Sequence, residues 1–172
     1  MGGELFDKSF DRLIGNEGGY VDNPEDPGGE TNWGITWPIL HEAIGMGLVP
    51  SGTTIASLTR PQSKIIYREI FWDRGRMDEF DGAISFQVFD AAVNHGIPNA
   101  VRIMQRAAGV ADDGHIGPIT IAAVKAKSIT DMLMLFVAYR IRFWTSLSKW
   151  KTFGRGWANR AADDLIYASE DS

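Results

Sequence analysis

The sequence contains no cysteine among its 172 residues. This absence excludes disulfide scaffolds, cysteine nucleophiles, iron–sulfur clusters and zinc sites built on thiolates. The chain also lacks any apolar run of the ~18–20 residues needed to cross a bilayer, and its start lacks the basic and apolar regions of a signal peptide. We therefore expect a protein that is made in the cytoplasm without a signal peptide and that does not insert into membranes.

A net basic charge is also missing, since the formal charge is -5 at pH 7 and the pI is ≈ 5.1. Proteins that bind nucleic acids usually carry a net basic face, so we expect no nucleic-acid partner. The charge is distributed unevenly, because residues 132–162 contain six Lys or Arg and no Asp or Glu. This basic segment could attract a polyanion, or it could be an ordinary solvated helix face.

The motifs of metal and nucleotide sites are absent. The three histidines, at positions 41, 95 and 115, share no ligand spacing. Residues 22–26 resemble the start of a calcium loop but place proline at the third position and lack the required glycine. With no P-loop, dinucleotide fingerprint or serine elbow, we expect neither a cofactor nor a metal.

The pattern that is present is helical. Apolar residues recur at i, i+3, i+4 and i+7 over most of the chain, which is typical of amphipathic helices. One predicted helix begins after the candidate N-cap Thr36; the others cover residues 6–16, 60–73, 83–95, 99–108, 116–126, 130–149 and 156–168. Between the first two helices, residues 20–21 and 33–36 could pair as a short hairpin. We therefore predict a mainly α protein.

Glu17 is the candidate that carries chemistry. It follows Phe6 by eleven residues, close to three helical turns, so a helix reaching it would place it on the same face as the apolar residues. Burial and the negative end of a helix both raise the pKa of a carboxyl group, which suits a general acid. The alternative is that the helix end frays and that Glu17 turns into solvent.

The residues around Glu17 resemble a known family. Glu17-Gly18-Gly19-Tyr20 and the segment N-P-E-D-P-G-G-E-T-N-W-G-I-T at 23–36 are similar to the signature of glycoside hydrolase family 108, the N-acetylmuramidases of phage endolysins and prophage-encoded lysozymes. The resemblance continues through F-D-A-A-V-N-H-G at 89–96 and covers nearly the whole chain. It implies a lysozyme-like single domain with a short β-hairpin beside the active site, and it implies that Glu17 is the catalytic acid.

The same resemblance implies an organisation and a reaction. It implies a catalytic region at 1–96 and a helical peptidoglycan-binding region at 97–172, packed onto it as one compact unit. The reaction would be hydrolysis of the β-1,4 bond between N-acetylmuramic acid and N-acetylglucosamine in peptidoglycan glycan strands. We expect a monomer that acts in the periplasm or cell wall after holin-dependent or other release.

Two alternatives to this hydrolase stay open. A lytic transglycosylase would cleave the same bond with one essential glutamate, but it would close the muramic acid onto itself instead of using water. A non-catalytic wall-binding or secretion-accessory protein would keep its binding after the loss of Glu17.

Asp26 follows Glu17 by nine residues, a spacing similar to that of the acidic pair in phage-type lysozymes. If the two carboxyl groups were ~6.5–9.5 Å apart, Asp26 could activate water with inversion, whereas ~5–5.5 Å would suit a nucleophile and retention. The alternative is structural, because aspartate in Asp-Pro-Gly-Gly often bonds to its own backbone in a turn.

Five further residues are candidates for substrate binding, each with a structural alternative. Thr31 and Thr36 carry hydroxyls for water or a sugar, although Thr36 could instead cap the next helix. Tyr20 could stack on a sugar face or pack beside the glycine turn. Asp90 and Asn94 are four residues apart on one helix face and could bond N-acetyl groups, or Asn94 could cap the break at residue 96.

Two patterns in the C-terminal half have simpler interpretations. Trp144, Trp150 and Trp157 are spaced too irregularly for a stacking platform, so core packing is expected. The residues Asp113-Gly114 and Gly117-Pro118 are similar to peptidoglycan-binding modules, but turn formation explains them equally well.

Overall fold

The computed structural model describes residues 2–15, 19–22 and 29–171 of the chain. The helices are α1 (Gly2–Ile14), α2 (Trp37–Gly45), α3 (Arg60–Tyr67), α4 (Gly82–His95), α5 (Ile97–Ala108), α6 (Pro118–Ala126), α7 (Ile129–Ser146) and α8 (Trp150–Asp171). A small antiparallel sheet is formed by β1 (Tyr20–Val21), β2 (Thr31–Asn32) and β3 (Ile35–Thr36), in that order. The prediction of a mainly α fold with a short hairpin is confirmed.

The chain forms two compact units, Met1–Asp73 and Arg74–Ser172. The predicted functional division at residue 96 was drawn from motif positions, and it stays a prediction. Among the described helices, none is long and apolar enough to cross a bilayer.

The first helix ends earlier than its apolar period predicts. α1 stops at Ile14, and Gly15 follows with φ 60 while its N–H donates to the carbonyl of Asp11 at 2.9 Å. A left-handed glycine with this hydrogen bond is a common helix C-terminus, so Gly15 ends the helix before the predicted end at residue 16. The apolar face of α1 therefore ends with the helix at Ile14.

The strand pairing also differs from the prediction. Tyr20–Val21 pairs with Thr31–Asn32 and does not pair with residues 33–36. The reason lies in Trp33 and Gly34, whose φ values of 51 and 74 are both positive. Two central residues with positive φ make a type I′ hairpin turn, which joins β2 directly to β3.

The core of residues 1–73 contains a cluster of aromatic rings. Phe6 and Phe10 of α1 are buried, and their rings contact Trp72 at 5.4 Å and Tyr67 at 5.6 Å between centroids. α3 begins with a reciprocal capping box between Thr59 and Gln62. The predicted helix 60–73 is not uniform, because its last turn, Arg68–Asp73, widens into a π-helix.

In residues 74–172, α4 forms the centre. Every residue from Ala83 to Ala92 is buried, and α4 packs against α5, α7 and α8. α7 contributes Met132, Leu133, Phe136 and Val137 to the buried set, whereas Met134 and Leu135 between them are exposed.

α8 begins six residues before the predicted start because glycine has a packing function there. A Cβ at Gly154 would lie 2.9 Å from the indole of Trp150. The indole thus lies directly over the helix backbone, and the absence of a side chain at Gly154 leaves room for it.

The Asp113-Gly114 motif has a structural role. Gln105 of α5 is buried, and its side-chain amide donates to Asp113 Oδ1 at 2.7 Å and to the carbonyl of His115 at 3.0 Å. Its oxygen accepts from the Gly114 N–H at 2.9 Å, where φ is 81. The loop before α6 is therefore a turn built around Gln105.

Candidate active site

The hairpin β2–β3 presents two threonine hydroxyls on one face. Its register places Thr31 opposite Thr36 and Asn32 opposite Ile35. Directly opposed residues of an antiparallel pair project to the same side of a sheet. Because Asn32 and Ile35 are buried at 5% and 1% exposure, their face is the inner one. Thr31 and Thr36, which are half-buried, share the outer face.

The hydroxyl of Thr36 does not cap α2. Thr36 occupies the N-cap position of α2, as predicted, but its side chain makes no cap hydrogen bond. The helix instead starts with proline in its first turn, where a missing N–H costs nothing. The competing capping role for the Thr36 hydroxyl is therefore not realised.

Asn32 anchors the hairpin to the segment that follows α2. Its side-chain amide nitrogen lies 2.9 Å from the carbonyl oxygen of Ile55 and 3.1 Å from that of Leu58. The indole N–H of Trp33 also donates to the Leu58 carbonyl, at 3.2 Å. An amide with both hydrogens used and a buried position has little freedom, so the two threonines are held on a fixed support.

Tyr67 holds the turn at Trp33-Gly34 in place. Its hydroxyl donates to the carbonyl of Trp33 at 3.2 Å. A Cβ at Gly34 would stand 2.5 Å from that hydroxyl oxygen. Residue 34 must therefore be glycine for two reasons, its positive φ and its contact with Tyr67.

Tyr20 lies on the neighbouring strand. Its register partner is Asn32, and its side chain is 48% exposed. Partial burial and a hydrogen bond to the Glu30 carboxylate, together with the negative charges of Glu30 and Asp22, raise the pKa of the Tyr20 hydroxyl. The ring is accessible, as sugar stacking requires.

Glu17 and Asp26 lie outside the described residues. Because α1 ends at Ile14, the helical spacing no longer supports a buried position for Glu17. The assignment of Glu17 as the acid rests on its motif, and the roles of both carboxylates stay predictions.

Asp90 and Asn94 belong to residues 74–172 and have partners within that unit. Asp90 is buried, with Oδ1 accepting from Arg160 at 2.6 Å and Oδ2 at 2.6 Å from Arg140. The Asn94 amide donates to the Asp90 carbonyl at 2.7 Å and does not cap the helix. Their predicted substrate contacts stay predictions, and the structure adds a role in packing for Asp90.

The sequence analysis missed the charge network in which Asp90 takes part. Arg140 is fully buried and bridges Asp90 and Asp164, lying 2.7 Å from the latter. Its guanidinium also stacks over the Trp144 ring at 4.6 Å from the centroid. The missed signal was positional, because Arg140 falls on the same helical stripe as the buried residues Val137 and Trp144.

The charge network around Arg140 shifts the pKa values of Asp164 and His95. Burial and the nearby Asp90 carboxylate raise the pKa of Asp164 to about 7, against the opposing effect of Arg140. Burial and the positive charge of Arg140 lower the pKa of His95 to about 4. His95 is therefore neutral at pH 7 and accepts a long hydrogen bond, 3.4 Å, from Arg140 Nε.

Within residues 2–15, 19–22 and 29–171, no group of three or more acidic or histidine side chains is placed to hold a metal ion.

Comparisons with known proteins identify the family. The family model described as Glycosyl hydrolase 108 matches residues 10–96, and the one described as Predicted Peptidoglycan domain matches residues 99–162. No curated relative matches the sequence.

A solved structure resembles the whole chain. It is titled Structure of Brucella abortus SagA, it is 32% identical, and the match covers 99% of this chain and 97% of that one with a TM-score of 0.87. The likeness supports the predicted lysozyme-like fold. The chain therefore belongs to glycosyl hydrolase family 108, and it is a glycoside hydrolase of peptidoglycan.

Proposed function

We propose that the chain is an N-acetylmuramidase that cleaves the β-1,4 bond between N-acetylmuramic acid and N-acetylglucosamine, with Glu17 as the general acid. Glu17 protonates the leaving glycosidic oxygen, and nearby polar groups stabilise the positive charge that develops on the sugar. The family match over residues 10–96, which contains the Glu17 motif, supports this assignment.

The observation that carries the proposal is the pair of opposed hydroxyls on the hairpin. Thr31 and Thr36 share one half-buried face, and Asn32 and Tyr67 hold that face in place. Hydroxyls held in fixed positions can orient a water or a sugar, and fixed orientation is a large part of catalysis. The hairpin follows the Glu17–Asp26 segment directly in the chain.

Asp26 is proposed as the second carboxylate. It either activates the attacking water, which inverts the anomeric carbon, or attacks that carbon itself, which retains its configuration. Following the anomer formed first, by NMR of the fresh product, decides between the two routes.

Substrate contacts are proposed for the five remaining candidates. Tyr20 offers an exposed ring, and Thr31 and Thr36 offer hydroxyls on one face. Of the five, Asp90 is favoured least, because both of its carboxylate oxygens already face arginines.

Initial rates of reducing-end release from purified peptidoglycan test the proposal. Glu17→Gln should lower the rate by about 10²–10⁴-fold, the usual contribution of general acid catalysis. Glu25→Gln removes the same charge from the same segment and should keep most of the rate. Equal rates for wild type and Glu17→Gln would refute the assignment of the acid.

The substrate lies outside the cytoplasmic membrane, so we also propose that the protein reaches it through a holin or another release route, as phage and prophage endolysins do. Expression in bacteria should cause lysis only when a holin is expressed with it. Lysis without a holin would point to another export route.

A further inference from the structure

The corner where α7 meets α8 combines exposed cations with aromatic rings. Lys149 and Lys151 flank Trp150 in the chain and are exposed, and Phe153 one turn later is 44% exposed. We refer to these four residues as the aromatic corner. Behind them, Trp157 contacts Trp150 at 6.1 Å and Phe153 at 5.9 Å between ring centroids.

Packing fixes the rings of the corner from within. Trp157 stacks on the buried Trp144 at 6.1 Å with an interplanar angle of 10°. Trp150 lies against Gly154, which leaves room for the indole. The rings therefore form a preordered surface with a buried base, and ordering them on binding costs little entropy.

The cations of the corner are not used for packing. Of the six basic residues at 132–162, Arg140 and Arg160 are engaged by buried carboxylates. Among the described residues, no ion pair involves Lys149 or Lys151, and the first turn of α8 contains no acidic residue. Lysines at the positive end of a helix do not stabilise it, so helix stability does not explain their position.

We propose that the aromatic corner docks the enzyme on the peptidoglycan strand, with the lysines pairing with wall carboxylates and the rings packing against sugar faces. This inference rests on the proposed function, since the docked polymer is the substrate. The charges are complementary, because peptidoglycan carries carboxylates on its stem peptides. The corner also lies within the match at 99–162 to the Predicted Peptidoglycan domain.

The surface fits a glycan better than a lipid bilayer. Membrane-docking helices present a broad apolar face that enters the acyl region. Within and behind the aromatic corner, Trp144 is buried and Trp150 and Trp157 are half-buried, whereas Phe153 is 44% exposed. Partly exposed rings beside two lysines suit ring contacts and ion pairing at a surface.

Sedimentation with purified sacculi measures the docking. Lys149→Glu/Lys151→Glu should weaken binding by about tenfold or more at 50 mM salt, and the difference should narrow at 500 mM salt because screening is stronger. Lys125→Glu/Lys127→Glu is the matched control, because it reverses two lysines with the same spacing in the same unit. The control should bind as the wild type does.

The aromatic contribution is tested separately. Phe153→Ala should weaken binding by about threefold or more at both salt concentrations, since a ring contact is not screened. Leu165→Ala removes a side chain of similar exposure, 46%, from the same helix and should have no effect. Thermal unfolding of each variant checks that the fold is intact.

Two further arms identify the partner. Sacculi whose carboxyl groups have been converted to neutral amides should bind the wild type as weakly as the lysine variant binds untreated sacculi. Vesicles of phosphatidylglycerol should bind the wild type and the lysine variant equally weakly. If the lysine variant binds untreated sacculi as well as the control does, or loses affinity only for vesicles, the proposal is overturned.

The proposed function is judged by a different readout on the same samples. Binding by the wild type without any release of reducing ends would refute the muramidase and leave the docking surface standing. Release of reducing ends by the wild type, together with unchanged binding of the lysine variant, would refute the docking surface and leave the muramidase standing.

Discussion

The Arg60–Asp11 ion pair of residues 1–73 and the Arg140 network of residues 74–172 lie in opposite environments. In residues 1–73, Arg60 pairs with Asp11 on the surface, with side-chain exposures of 40% and 59%. In residues 74–172, Arg140 pairs with Asp90 and Asp164, with exposures of 0%, 6% and 3%. Water and salt screen the first pair, whereas nothing replaces a lost partner in the second.

This difference separates two uses of charge. The surface pair belongs to a unit whose core includes the rings of Phe6, Phe10, Tyr67 and Trp72 and contains no part of the pair. The buried charges lie on α4, α7 and α8, so those three helices satisfy one another only in one arrangement. The hairpin of the first unit is instead fixed by neutral hydrogen bonds from Asn32, Trp33 and Tyr67.

The largest effect is expected from removing the buried cation. Arg140→Met leaves Asp90 and Asp164 close together without their common partner, and it should lower the free energy of unfolding by about 3–5 kcal/mol. Arg142→Met, on the same helix but exposed, should change it by less than about 0.5 kcal/mol. Urea unfolding of both variants provides the comparison, and equal costs would show that the network contributes no more than a surface charge.

The second largest effect is expected at the contact between Gly34 of the hairpin turn and the Tyr67 hydroxyl. Gly34→Ala and Gly47→Ala both place alanine at nearly the same positive φ, 74 and 73. Each should cost about 1–2 kcal/mol for the backbone, and Gly34→Ala about 1–3 kcal/mol more because its Cβ meets the Tyr67 hydroxyl. Urea unfolding should then show part of the extra cost recovered in Gly34→Ala/Tyr67→Phe, and no recovery would contradict the assigned contact.

The third effect is a pair of opposite pH trends. The pKa of His95, lowered to about 4, gives stability that is present above pH 6.5 and lost as the pH falls through 4. The pKa of Asp164, raised to about 7, gives stability that is present below pH 3.8 and lost as the pH rises through 7.

The melting temperatures of two variants relative to wild type separate these trends. From pH 7 to pH 4.5, the cost of His95→Gln should shrink, while the cost of Asp164→Asn should grow. Parallel trends for the two variants would show that the network does not shift these groups in opposite directions.

The smallest effect is expected at the surface pair. Arg60→Met should lower the free energy of unfolding by about 0.2–1 kcal/mol, because the pair is exposed and screened. The cost should fall further between 50 mM and 500 mM salt in urea unfolding. A cost as large as that of Arg140→Met would remove the distinction between the two units.

Most of the helices could be predicted, because the apolar period of an amphipathic helix depends only on residues close together in the sequence. The helix boundaries were less predictable where one glycine had a specific conformation or contact. Gly15 ended α1 early through its positive φ, and Gly154 extended α8 through its contact with Trp150. A two-residue strand has no alternation to read, so the pairing of Tyr20 with Asn32 could not be read from its own sequence.

The site was predictable in composition but not in geometry. The motif identified Thr31 and Thr36, whereas their placement on one face depends on the turn at Trp33-Gly34. Arg140 lies on the buried stripe of α7, but its burial was not predicted, and its partners come from two other helices that no spacing in a single sequence identifies. Likewise, only the structure shows that the Thr36 side chain makes no cap hydrogen bond to α2.

The central claim is tested most directly by mass analysis of the fragments released from purified peptidoglycan, with borohydride reduction to mark new reducing ends. The account predicts reducible muramic acid ends from the wild type and none above background from Glu17→Gln. Anhydro-muramic ends from the wild type, or reducible ends from both proteins in equal amount, would contradict it.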